Sequence, residues 1–402
     1  MTKYINETLA TPLSEKTDVL VAGGGIAGIA AALSAARKGA KVTLIENQFA
    51  LGGLATLGLI AIYLPLCDGE GHQVTFGICE ELIRLSVKYG SDNGPVTPWI
   101  QGGTDEEKKS FRFISHFNPS LFCLESEKML LDAGVEILYG TKVCSSVVSD
   151  GKISAVIIEN KSGRSAIEVN SVIDATGDAD VAFMSGAMTE INKEGNPLAA
   201  WYYNLHDGKR ALKTMGAADV PDDETADFED DGNANLSNAR FGGIDGKELS
   251  VMTQMSHSII LNDFKAQNKK DPDYMAIMIP TIPQVRETRR IVGLSTPDKI
   301  DRQRYEDSIG MISNWRRRGP IYEIPFTSLC SANISNLLAA GRDISVTDDL
   351  WDMTRVIPSC AITGEAAGIA AAMFTDFHKA DVKKIQDELV NRGIKLHVEE
   401  VI

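Results

Sequence analysis

The sequence has no Cys-x-x-Cys pair. Its six cysteines (Cys67, Cys79, Cys123, Cys144, Cys330 and Cys360) are scattered singly along 402 residues. That excludes a zinc ribbon, an iron–sulfur ligand set and a thioredoxin-type dithiol. The expectation is a chain with no metal and with reduced thiols, in the cytoplasm. Positive charge is also scarce: 40 lysines and arginines stand against 55 acids, a net charge of −15. This deficit argues against nucleic acid and against anionic membrane surfaces as partners. The opening MTKYINETLATPLSEK lacks the apolar core of a signal peptide. Internal repeats and low-complexity tracts are missing. Residues 47–67 lack charge altogether and are long enough to suggest a membrane span. Gly52, Gly53, Gly58 and Pro65 interrupt that run, which reads instead as a buried loop with short elements.

What the chain does have is the run DVLVAGGGIAGIAAALSAARKGAKVTLIE at residues 18–46. Residues 18–22 are short, apolar and valine-rich, as a doubly buried strand should be. Gly23, Gly25 and Gly28 then supply G-x-G-x-x-G. The first glycine permits a sharp turn, the second lets the backbone approach a pyrophosphate, and the third lets the helix pack on the sheet. The free N–H groups and positive dipole end of that helix suit phosphates. Residues 42–45 form a second strand with Glu46 at its tip, where a carboxylate can accept from a ribose diol. A lone glycine motif is weak evidence, but here strand, helix and acid are all present. The fold class expected is α/β, and the length suits two joined domains.

Further along, helices are expected at 76–87 and 119–133, the latter with Asn118 as N-cap and Pro119 at its first position. Strands at 135–138, 141–148, 153–159 and 165–169 form a β-meander with turns at Asp150-Gly151 and Ser162-Gly163. Another buried strand, 171–175, leads into Thr176-Gly177-Asp178. Residues 181–330 show no such regularity and include an acidic patch at 221–232, read as a solvated loop. The core returns with a strand at 334–341 and a small-residue helix at 359–374. An amphipathic helix at 381–393 closes the chain. Three glycine-bearing strand ends (23–28, 175–178 and 341–343) would converge on one edge of a parallel sheet. A nicotinamide cofactor needs only the first of them. All three, with a last helix aiming its N-terminus inward, suit FAD. Its flavin ring would lie near Pro358, Ala361, Ile362 and Thr363.

The glycine run followed by LGGLAT resembles the FAD-dependent oxidoreductases of the glutathione-reductase-like superfamily, in the branch with a single nucleotide-binding domain. IDATGDAD at 173–180, ETRRIVG at 287–293 and YEIPFTSL at 322–329 carry the likeness. So do Phe117-Asn118-Pro119, NLLAAGRDIS at 336–345 and RVIPSCAITGEAAGIAAA at 355–372. The resemblance implies a Rossmann-like FAD-binding domain from residues 1–180 and 331–380, with an inserted mixed α+β substrate domain at 181–330. Residues 60–115 would border the substrate side, and 381–402 would be a C-terminal helix and tail. It also implies that Gly23, Gly24, Gly25, Ile26, Ala27 and Gly28 surround the pyrophosphate, and that Glu46 and Asn47 meet the adenosine. Gly52, Gly53, Leu54 and Ala55 would wrap the diphosphate and ribitol, and Val143 would meet the adenine. Ala175, Thr176 and Gly177 would line the nucleotide, with Gly341, Arg342 and Asp343 approaching the ribitol. Asp343 departs from the apolar or cysteine residue commoner in the family.

For chemistry, Cys360 falls near a helix N-terminus, where a thiol pKa can drop. Arg286, Arg289, Arg290 and Arg355 are candidates for binding a carboxylate or the flavin. His72, His116 and His206 are candidate bases, His116 being the strongest. Tyr63 reads first as a core aromatic. The expected activity is hydride transfer between flavin N5 and a small organic substrate (an alcohol, an amine or a sugar-like molecule), with an unknown electron acceptor. Alternatives are a flavin monooxygenase using NAD(P)H and a non-catalytic flavin-binding protein. A flavin-dependent RNA-modifying protein fits the acidic balance poorly. A homodimer is the expected assembly.

Overall fold

The computed structural model describes residues 5–89, 98–100, 102–110, 114–216 and 235–402; the acidic patch at 221–232 lies outside the described residues. The strand Leu13–Ala22 sits inside a seven-stranded sheet. On one side it pairs in parallel with Val42–Ile45, which pairs in turn with Glu136–Leu138. On the other it pairs in parallel with Gly163–Asp174. The hairpin Lys142–Ser149 and Lys152–Asn160 runs antiparallel beyond that strand. Val19, Leu20, Val21 and Ala22 are wholly buried, as expected of a strand covered on both faces.

The meander differs from expectation in one respect. The strands read at 165–169 and 171–175 are one twelve-residue strand, Gly163–Asp174. Its first half pairs with Lys152–Asn160. Its last three residues pair in parallel with Leu337–Ala339. The buried Asn336 side chain closes the gap where the partner changes. Its Oδ1 accepts from the Ile153 N–H, and its Nδ2 donates to the carbonyls of Ile153 and Asn170.

Two helices of small residues, Ile26–Arg37 and Ile357–Met373, cross over the sheet in contact. A Cβ on Gly364 would stand 2.2 Å from the Ala27 carbonyl oxygen, and one on Gly368 the same distance from that of Ala31. Only glycine permits this approach. The small-residue helix expected at 359–374 begins at Ile357, two residues earlier, with Pro358 in its first turn. Asn118 caps Pro119–Asp132 as expected, accepting from the Ser120 and Leu121 N–H groups.

Residues 181–330 are more regular than their sequence suggested. They hold the 25-residue helix Gly246–Lys270 and a three-stranded sheet of Tyr202–His206, Lys209–Lys213 and Met275–Met278. The helix was missed because it buries only Met252, Ser256 and Ile260, a stripe too narrow to stand out. Asp245 caps it, accepting from the Lys247 and Glu248 N–H groups. Among the described residues no single helix is long and apolar enough to cross a membrane.

One carboxylate is buried in the last helix. Glu365 accepts from the Ile78 N–H at 2.7 Å, with Arg392 at 3.8 Å. Burial outweighs both partners and pushes its pKa from 4.5 up to about 7. A raised carboxyl pKa means that the folded state holds the proton more tightly than the unfolded one. Stability from this group is therefore full below pH 4.5 and is lost as pH rises towards 7. Glu365→Gln keeps an acceptor for Ile78 and removes the titration. Relative to the variant, the natural chain should lose roughly 3 kcal/mol between pH 5 and 7.5, at ~1.4 kcal/mol per unit. Denaturant titrations of both proteins across that range check this, and a constant difference between them would refute it.

Candidate functional site

Strand register determines what converges. Ala22 lies opposite Ile45 on one side and Asp174 on the other, and Asp174 lies opposite Ala339. The turns that follow, at 23–28, 175–178 and 340–343, therefore leave the same edge of the sheet. Gly23 (φ 103°) makes the first turn, its N–H donating to the Ile45 carbonyl. A Cβ on Gly28 would lie 1.8 Å from the Gly23 oxygen. Gly25 is different: a Cβ there would meet nothing within 4 Å.

Glu46 sits at the tip of the second strand, 9% exposed. Its carboxylate accepts from the Gly24 N–H and the Gln48 N–H, each at 2.7 Å. Burial nevertheless raises its pKa above the ordinary value. Asn47 beside it is exposed. The loop carrying Gly52, Gly53, Leu54 and Ala55 lies against the glycine turn. Gly52 donates to the Gly24 carbonyl at 2.8 Å, and a Cβ on Gly53 would lie 3.2 Å from Gly25 Cα.

Ala175, Thr176 and Gly177 are set by Asp174, whose carboxylate takes Thr176 N–H and O–H and the Ala182 N–H. The Arg342 guanidinium crosses this turn. It pairs with Asp178 at 3.2 Å and donates to the carbonyls of Val285 and Arg286. Thr363 accepts from the Gly341 N–H, tying the last strand to the last helix. Pro358, Ala361 and Ile362 are buried in that helix near its N-terminus, Ile26 and Ala27 are buried in the first helix, and Val143 is buried in the hairpin. Asp343 is wholly buried and neither of its oxygens has a partner. Burial, reinforced by Asp174, pushes its pKa well above the ordinary carboxylate value. An open turn that a methyl group would fill and, among the described residues, a buried carboxyl without a partner on the same edge both fit a polar dinucleotide.

Several expectations about chemistry are corrected. Cys360 is not an activated thiol. It is buried in the second turn of the helix, its Sγ donates to the Arg355 carbonyl, and burial pushes its pKa up to about 12. Arg289 is taken by Asp180 and by the Asp178 carbonyl and lies over Phe183. Arg290 is taken by Glu190 and Asp348 and lies over Trp351. Their hydrogen-bonding fans are occupied in holding the strand Arg289–Ile291. His206 is paired with Asp271 on the small sheet, and His72 is paired with Asp68. Tyr63 is a core aromatic that donates to the Cys79 carbonyl. His116 pairs with Ile62 in a two-residue ladder just past the loop at residues 52–55, and Tyr203 donates to the next carbonyl, that of Phe117.

Sequence reasoning missed two residues that bridge this edge to the inserted segment. Gln284 donates to the Gly58 carbonyl at 2.5 Å, while its own oxygen is buried without a partner. Gln284 also lines a small cleft shared with His257 and Pro283. Asp352 gathers Arg316 and Arg355. Neither residue carries a sequence signal that spacing could have revealed.

A parallel sheet with a glycine turn, an acid at the second strand's tip and two more turns on the same edge defines a dinucleotide-binding protein of the flavoenzyme type. The chain belongs to the FAD dependent oxidoreductase family, whose pattern it matches over residues 18–247 and 254–391. FAD is its cofactor. Over 184 residues it is 29% identical to a vinyl phenol reductase of Lactiplantibacillus plantarum, covering 40% of this chain and 37% of that one. Over 73 residues it is 33% identical to a thioredoxin reductase of Ureaplasma parvum, covering 18% and 24%. The chain thus spans less than two fifths of either relative. A solved structure of a geranylgeranyl bacteriochlorophyll reductase-like protein from Thermoplasma acidophilum aligns with a TM-score of 0.49 at 13% identity, over 94% of this chain and 84% of that one.

The two glycines of the turn give opposite expectations. Gly28→Ala drives a methyl into the Gly23 carbonyl and should lower the melting temperature of the protein itself. Gly25→Ala meets no protein atom and should leave apoprotein melting unchanged. Its methyl would instead block the approach of a pyrophosphate, weakening FAD binding by roughly tenfold or more, about 1.4 kcal/mol. Calorimetric titration of apoprotein with FAD measures this. Undiminished affinity in Gly25→Ala would remove the turn from the cofactor site.

Proposed function

We propose that this chain carries out hydride transfer on a small organic substrate such as an alcohol, an amine or a sugar-like molecule. FAD, when bound, supplies the two-electron chemistry. The observation that carries this reading is the open Gly25 turn at the edge where three strand ends meet. In this reading the backbone N–H groups at the start of the helix Ile26–Arg37 hold the pyrophosphate. Glu46, aimed by the Gly24 and Gln48 N–H groups, accepts from the adenosine ribose. The unpartnered Asp343 carboxyl meets the ribitol side. The N-terminus of Ile357–Met373 places its positive dipole end where negative charge develops on reduction.

The same reading divides the chain into a cofactor domain of residues 1–180 and 331–380 and a substrate domain of residues 181–330. Gln284 on Gly58 and Arg342 on the Val285 and Arg286 carbonyls support placing the substrate wall in the 283–287 strap. His116 is the base we assign. It flanks the loop at residues 52–55 through the Ile62 ladder.

The test is an absorption spectrum of the FAD-loaded protein under anaerobic conditions, followed by additions from a panel of alcohols, amines and sugars. Bleaching of the oxidised flavin bands by a member of the panel is the expected result. It should slow sharply in His116→Ala. A protein that takes up no FAD, or whose flavin no panel member reduces, would overturn this function.

A further inference from the structure

A knot of buried charge beside the cofactor edge is not explained by holding the cofactor. Arg316 and Arg355 share Asp352. The Arg316 Nε lies 2.6 Å from one oxygen, and an Arg355 Nη2 donates to the other. The Arg355 Nε lies 3.3 Å from Glu287. Burial pushes Asp352 up, but Arg355 and Arg316 outweigh it and hold the carboxyl below its ordinary range. Both acids are therefore taken.

Arg286 has none. It is 7% exposed, its Nη1 is buried without a hydrogen-bond partner, and its guanidinium carbon stands 5.5 Å from the Trp201 ring. Burial, and then the nearby Arg355 charge, lower its pKa to about 9. It is still protonated at neutral pH. A buried guanidinium N–H without a partner is expensive, and an anion placed against it would offset that cost.

The knot adjoins the cofactor edge on two sides. The Arg286 carbonyl accepts from Arg342 Nη1 at 3.1 Å. Arg355 immediately precedes the last helix, and its carbonyl accepts from Cys360. A Cβ on Gly341 would lie 3.6 Å from that Cys360 sulfur.

We propose that Arg286 is the anion-binding residue of the substrate pocket and holds the carboxylate of a small monoanionic substrate. The assignment rests on the oxidoreductase reading above and narrows it to acids, such as hydroxy or amino acids. A planar guanidinium matches a carboxylate through two parallel N–H···O bonds. One unpaired positive charge balances one negative charge. A phosphate dianion would leave a net negative charge buried. Arg316 and Arg355 are fixed by Asp352 and Glu287 and flank Arg286 as positive neighbours. Trp201 limits how far its guanidinium can swing.

The experiment titrates the FAD-loaded protein at constant ionic strength with sodium acetate, sodium benzoate, neutral benzamide and inorganic phosphate. Flavin absorbance and tryptophan fluorescence are both read. At least one carboxylate should saturate both signals. Benzamide should give no saturable change, and phosphate should bind more weakly than the carboxylate. Arg286→Gln should weaken carboxylate binding at least roughly tenfold, about 1.4 kcal/mol, with FAD content unchanged. Arg286→Lys should recover part of the loss.

The proposal is overturned if no carboxylate binds, if benzamide matches benzoate, if phosphate binds tightest, or if Arg286→Gln binds carboxylate like the natural chain. A shifted flavin midpoint potential in Arg286→Gln with unchanged carboxylate binding would assign the guanidinium to the reduced flavin instead, and would also overturn it. The comparison of acid with amide needs no variant. Tryptophan fluorescence reports carboxylate binding even in a protein that holds no flavin, so failure of the cofactor reading would appear separately, as missing flavin bands.

Discussion

The backbone contact between the helices Ile26–Arg37 and Ile357–Met373 is the constraint on which the rest depends. A methyl group at Gly364 or Gly368 would run into the carbonyls of Ala27 and Ala31. The first helix is bound to the sheet by an equally close approach of Gly28 to Gly23. Two helices and the sheet edge are thus locked at distances only small residues allow. This packing brings the N-terminus of a helix from the far end of the sequence to the turn made near its beginning. Ser34 Oγ reinforces the lock by donating to the Glu365 carbonyl inside the seam. Directional contacts of this kind fix register in a way that apolar packing alone does not.

Polar groups at the edge follow from that arrangement. Buried carboxylates there are satisfied by backbone N–H groups: Glu46 by Gly24 and Gln48, Asp174 by Thr176 and Ala182, Glu365 by Ile78. Each holds a turn or helix end in place, and Glu365 has Arg392 at 3.8 Å as well. Asp343 is the exception, with both oxygens unpartnered, and it lies where the last strand meets the cofactor edge. The general rule that buried polar groups are hydrogen-bonded makes the exception informative.

Much of this was legible in the sequence because it rests on local rules. The strand, glycine turn, helix and acid at 18–46 lie next to one another in the chain, and the sheet register then brings the three strand ends together as expected. Asn118 and Pro119 start their helix because capping is local as well. What escaped reading depends on distant partners. The twelve-residue strand Gly163–Asp174 reads as two because its partner changes midway, where Asn336 arrives from far along the chain. The helix Gly246–Lys270 packs through so few apolar residues that its period is faint. Cys360 was misjudged for the same reason. Proximity to a helix N-terminus is visible in the sequence, but the burial that raises its pKa is not.

The run Arg286, Glu287, Thr288, Arg289, Arg290 shows how nearby residues of one type acquire separate tasks. Arg289 and Arg290 are consecutive on a strand, so their side chains leave opposite faces. One meets Asp180 at the edge of the cofactor turn, and the other meets Glu190 and Asp348. Arg286 precedes the strand, where no acid follows it into the interior, and Glu287 beside it is taken by Arg355. The strand's two arginines therefore serve the fold. The third is buried beside Arg355 and Arg316, and among the described residues it forms no salt bridge, though Asp352 and Glu287 favour its charge. Stability alone would favour an apolar side chain there, since replacing buried charge by well-packed hydrophobic groups is often stabilising. An arginine at that position beside a flavin-binding edge is better accounted for by what it binds than by what it holds together.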